Sequence, residues 1–134
     1  MSSEGNTKLE VQKQQEQDRK AQELQVQYNK FQEALGELEN QLGTIMAQVN
    51  EHNIVDNTLS SIPPAKRGNR KCFKMIGGVL VEKSIDEVIR MLDDEKKSLT
   101  SLRELLEKEL INTRNKRESW MKSNNVKILR KGQP

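Results

Sequence analysis

Arg70-Lys71-Cys72-Phe73-Lys74-Met75-Ile76-Gly77-Gly78-Val79-Leu80-Val81-Glu82 is the stretch whose reading decides the fold. Two short runs of strand character, residues 71–76 and 79–82, flank Gly77-Gly78. Glycine supplies the positive φ that a tight hairpin turn requires, so a β-hairpin is expected over residues 70–83. A lone two-stranded hairpin is marginal in water, with two open edges and no core behind it. This one carries Cys72, Phe73, Met75, Ile76, Val79, Leu80 and Val81. Neighbouring helix ends can hide one face, but not both faces and both edges. The expectation is that hairpins of several subunits join into a common sheet.

The sequence on either side has a different period. Upstream, Ala21, Leu24, Tyr28, Phe31, Leu35, Leu38, Leu42, Ile45 and Val49 recur at alternating steps of three and four, with Gln, Glu, Lys and Asn between them. A strip this narrow covers one side of a helix and needs a partner of the same kind. The spacing predicts a helix over residues 10–59, roughly 75 Å long. Residues 1–9 are small and polar and are expected to be a disordered tail. Pro63-Pro64 forbids helix continuation and makes residues 60–69 a loop. Downstream, Ser84 can cap a second helix and Glu87 can complete a capping box. Ile85, Val88, Leu92, Leu99, Leu102, Leu106 and Leu110 then follow helical spacing, with Glu95 interrupting the strip. This helix is expected over residues 84–124, with a tail over 125–134. Helix, hairpin, helix is mainly α, and the turn folds the chain back. The two helices are therefore expected to form a long antiparallel coiled coil within one chain. Pairing with a second copy is the alternative.

Composition agrees with a thin seam rather than a thick core. Aromatic residues are 3% and hydrophobic residues 33% of the 134, well below the usual ~45–50%. A net charge of +3, from 23 basic and 20 acidic residues, is mixed and does not point to nucleic acid. No stretch suits a membrane span, and Met1-Ser2-Ser3-Glu4-Gly5-Asn6 has no apolar core for a signal peptide, so a soluble, unexported chain is expected. The single cysteine cannot form an internal disulfide, which fits the reducing cytosol or nucleus.

No catalytic set stands out. Gly77-Gly78 lacks the longer glycine loop and Lys-Ser/Thr of a P-loop. His52 is the only histidine and lacks metal-ligand spacing, so it is read as structural. Cys72, in a strand, is read as packed rather than reactive. No enzyme activity, metal or cofactor is expected.

The hairpin segment, together with Tyr28-Asn29, Glu51-His52, Val55-Asp56, Thr58-Leu59, Glu87-Val88 and Asn125-Val126-Lys127-Ile128, resembles a β-type subunit of prefoldin over roughly residues 24–130. The prefoldin-like domain is placed at residues 10–130. The resemblance implies a hexamer of two α-type and four β-type subunits, whose hairpins form an intersubunit β-barrel bearing six coiled coils. It implies other prefoldin subunits as partners, two α-type and three further β-type. It also implies ATP-independent binding of unfolded proteins, chiefly actin and tubulin, and their delivery to the cytosolic chaperonin. Carried over, Cys72, Phe73, Met75, Ile76, Val79, Leu80 and Val81 match the barrel strands, and Gly77 and Gly78 the turn. Antiparallel folding brings both chain ends to the far tip, where Leu9, Val11, Trp120, Met121, Val126, Ile128 and Leu129 are the candidates for client contact. Arg114, Lys116, Arg117, Lys122, Lys127, Arg130 and Lys131 would make that tip basic, suited to acidic clients or an acidic chaperonin surface, though a solvated face is the default. A structural or tethering coiled coil is the competing function.

Overall fold

The structure is a computed structural model and describes residues 2–68 and 70–128. Helix α1 (Ser2–Ser60) is followed by a single helical turn, α2 (Pro64–Arg67), strands β1 (Lys71–Ile76) and β2 (Val79–Ser84), and helix α3 (Ile85–Ser123). The chain is thus two long helices joined by a two-stranded antiparallel hairpin. It divides into two units: residues 39–109, which hold the hairpin, and residues 1–38 with 110–134, the terminal unit.

In the terminal unit, α1 buries a strip made of Leu24, Tyr28, Phe31, Leu35 and Leu38 to varying depth. Its partner strip on α3 is Leu110, Thr113, Arg117, Trp120 and Asn124. Phe31 meets Trp120 and Gln32 meets Arg117, so the helices run antiparallel here. Ala21, read as part of the seam, is exposed, and so is every residue from 5 to 23. The helix nevertheless continues to Ser2, through the residues read as a tail. Gln, Glu and Lys favour helix, no proline intervenes, and a helix nucleated downstream extends at little cost per residue.

In the hairpin unit, α1 continues its strip as Leu42, Ile45, Val49, His52, Asp56 and Leu59. Against it α3 sets Ile85, Val88, Leu92, Glu95, Lys96, Leu99, Arg103 and Leu106. Ser84 ends β2 and caps α3, its Oγ accepting from the Glu87 N–H at 3.2 Å. Arg67 joins the ends of the two helices. It donates to the Ser60 carbonyl at 3.2 Å, the Ile62 carbonyl at 2.9 Å and the Asp86 carboxylate at 3.0 Å.

The two helices differ in register. α1 keeps a seven-residue period, but the step on α3 from Leu92 to Arg103 spans eleven residues. Such a step slips the strip sideways by part of a turn and locally unwinds the pair. Leu102, expected in the seam, is therefore 45% exposed, and Arg103 takes its place. No side chain among the described residues is fully buried, and the best-buried apolar ones are Leu35, Ile45, Ile85, Val88, Leu92 and Leu110. Mutation checks the register. Leu110→Ala is expected to cost about 2 kcal/mol or more, and Leu102→Ala less than about 0.5 kcal/mol, in urea unfolding of the full chain.

Candidate functional site

The hairpin register pairs Lys71 with Ser84, Phe73 with Glu82, Met75 with Leu80 and Ile76 with Val79. Gly77 and Gly78 make the turn with φ of 54° and 82°, as a two-residue hairpin loop requires. Alternation then sorts the side chains. Cys72, Lys74, Val81 and Lys83 share a half-buried face. Phe73, Met75 and Leu80 share the other, where they are 69%, 60% and 63% exposed. Ile76 and Val79, next to the turn, are exposed as well. Of the seven residues read as barrel-forming, five therefore lie open and two, Cys72 and Val81, face inward. Lys71 Nζ lies 3.9 Å from Glu82 Oε1 at the rim of the apolar face. Among the described residues the sheet has two strands, so each has an outer edge with no neighbouring strand there.

Behind the half-buried face lies a set of charges. Glu95 of α3 receives Lys74 Nζ from β1 on Oε1 at 3.0 Å. Its Oε2 lies 2.6 Å from His52 Nε2 on α1. Burial pushes the Glu95 carboxyl up, but the hydrogen bonds from His52 and Lys74 outweigh it and hold the group below its usual value. One turn along α1, Asp56 accepts from Lys96 Nζ at 2.7 Å, and this bond is the chief reason its carboxyl is held low. The same bond raises the Lys96 ammonium. Glu95, read as an interruption of the strip, is the point where three elements meet. Its partner Lys74 was invisible in advance because contact required the hairpin to fold back onto α3.

The terminal unit holds the other candidates. Trp120 packs on Phe31 with ring centroids 5.5 Å apart and planes tilted by 49°. At the end of α3 the Val126 N–H donates to the Met121 carbonyl at 2.9 Å and the Asn125 N–H to the Lys122 carbonyl at 3.4 Å. With Asn125 left-handed at φ 53°, these bonds form a Schellman cap that turns the chain back. A cleft of about 380 Å³ results, lined among others by Ala21, Leu24, Tyr28, Val126 and Ile128. Val126 and Met121 are half-buried and Ile128 is 52% exposed. The cleft was not legible in advance, although Asn125 is a residue type that favours such a cap. Leu9 and Val11 lie exposed on α1 and do not line the cleft. Leu129, Arg130 and Lys131 lie outside the described residues. Lys116, Lys122 and Lys127 are exposed, whereas half-buried Arg117 donates to Gln32 and Glu118.

Among the described residues no group of His, Cys, Asp or Glu could hold a metal ion, and no helix is long and apolar enough to cross a membrane. Residues 22–130 match the family described as Prefoldin subunit. The chain belongs to the prefoldin family. It is 30% identical over 107 residues to Prefoldin subunit 2 of Saccharomyces cerevisiae, covering 80% of this chain and 93% of that one. It is 28% identical over 115 residues to the Probable prefoldin subunit 2 of Schizosaccharomyces pombe, 86% and 97% of the two chains. With Prefoldin subunit 2 of Homo sapiens it shares 26% over 102 residues, 76% of this chain and 64% of that one. No solved structure matches the chain. Prefoldin is a co-chaperone family rather than a family of enzymes, and these relatives support membership of the prefoldin complex with other prefoldin subunits as partners.

In the terminal unit of this prefoldin chain, the lone tryptophan reports its own packing. Phe31→Ala is expected to shift Trp120 emission to the red and to cost about 1–2 kcal/mol, less than for a deeply buried ring because both residues are half-buried.

Proposed function

We propose that this chain is a β-type subunit of a heterohexameric prefoldin and binds unfolded proteins, chiefly actin and tubulin, without ATP, passing them to the chaperonin of the cytosol. The observation that carries the assembly step is the open face of Phe73, Met75 and Leu80 on a sheet with two unpaired edges. Neighbouring hairpins would cover that face and pair those edges, and the single hairpin suits a β-type rather than an α-type subunit. Burying each large apolar side chain stabilises such a contact by about 1.5–3 kcal/mol.

Client contact is assigned to the terminal unit. Exposed Leu9, Val11 and Ile128, with Val126 in the cleft and half-buried Met121 and Trp120 at the end of α3, offer weak apolar contact to many sequences, and several subunits acting together gain avidity. Leu129 belongs to the same proposal by its place in the sequence. A tethering coiled coil would have no use for the open hairpin face.

The test is native mass spectrometry of the chain mixed with the other five prefoldin subunits, paired with light scattering of denatured actin. The wild-type chain is expected to enter a six-subunit complex that suppresses actin aggregation without nucleotide. Phe73→Ser with Leu80→Ser is expected to weaken incorporation by roughly 100-fold or more while leaving helix content unchanged, because both side chains are exposed in the free chain. A double variant that assembles normally contradicts the hairpin assignment. A complete complex that never retains denatured actin contradicts the client assignment.

A further inference from the structure

We infer that Glu95 is the positioning residue for the hairpin and that His52 makes this positioning depend on pH. The inference deepens the assembly reading, on which its functional meaning rests. Glu95 divides its carboxylate between two elements. One oxygen is held by Lys74 on the half-buried face of β1, the other lies against His52 on α1, and the residue itself belongs to α3. One side chain therefore fixes the angle at which the hairpin leaves both helices.

The histidine is placed unusually. Its Nε2 lies 2.6 Å from the Glu95 carboxylate and its Nδ1 lies 2.8 Å from the Gln48 carbonyl. Both partners can only accept. A neutral imidazole has one N–H and can donate to one of them, whereas the doubly protonated ring donates to both. With one proton, the ring must set a nitrogen lone pair against an oxygen lone pair, and one of the two contacts opens. Imidazole is the side chain that ordinarily changes charge between pH 5 and 8.

The remaining charges do not replace this contact. Lys96 of α3 is engaged by Asp56 of α1 at 2.7 Å and by Asp93 of its own helix at 3.4 Å. Asp94 lines a separate, open groove in the hairpin unit together with His52 and Glu95, and Lys83 of β2 lies on the same sheet face as Lys74. The sign follows. A ring that carries both protons donates to both acceptors and holds Glu95 more firmly than a ring with one. At much lower pH the hold is lost, as the carboxyl, which is held below its usual value, takes up a proton. His52 and Glu95 retain 22% and 41% side-chain exposure, so solvent screening keeps the effect to a few-fold.

Amide hydrogen exchange of the full chain, expressed as protection factors at pH 6 and pH 8, tests this. Protection over residues 71–84 is expected to be about threefold higher at pH 6 in the wild type. His52→Gln should abolish the difference, and Glu95→Gln should abolish it and also lower protection at both pH values. Amides of residues 113–117 serve as the reference and should not respond. Equal hairpin protection at the two pH values in the wild type, or an unchanged pH response in His52→Gln, overturns the inference. Because exchange is read on the chain by itself, failure here is distinct from failure of complex formation.

Discussion

Two helices packed along one strip have no interior. An apolar side chain that misses the strip has nowhere to go, and the described residues show the consequence: none is fully buried, while Met46, Ile54, Leu105 and the outer face of the hairpin lie open. The hairpin is the extreme case because a strand alternates its side chains. Whatever it packs inward through Cys72 and Val81, it must turn Phe73, Met75 and Leu80 outward. On this account the exposed face is the unavoidable product of a two-helix scaffold, and assembly is the proposed means of covering it.

The same thin seam explains why charges cluster beneath the hairpin. The eleven-residue step in α3 shifts the strip sideways and leaves Glu95 and Lys96 half-buried side by side. A partly exposed contact can hold charges that a close-packed core would reject. His52, Asp56 and Lys74 supply the opposite signs. Polar contacts there do what apolar packing does elsewhere in the seam, with the difference that they are directional and can titrate.

Much of this was legible in the sequence. The strip from Leu24 to Val49 packs as its spacing predicts, and the Gly-Gly hairpin and the Ser84 cap are found where they are expected. Three features were not legible, for different reasons. The slip that exposes Leu102 and inserts Arg103 depends on which face α1 presents, so periodicity within α3 could not reveal it. Glu95 looked like a defect because its partners lie 43 residues away on α1 and across the hairpin on β1. The chain reversal at Asn125 hinges on one residue adopting positive φ, for which asparagine is a weak signal beside glycine.

Family membership and local geometry meet at the hairpin, and two methionines allow the decisive comparison. Met75 on the hairpin face and Met46 on the outside of α1 are 60% and 57% exposed. Oxidative footprinting of the free chain should modify both at similar rates. In the assembled prefoldin complex, Met75 should become protected while Met46 continues to react. If Met75 is already protected in a solitary folded chain, or stays as reactive as Met46 in the complex, the hairpin face is not what the subunits share.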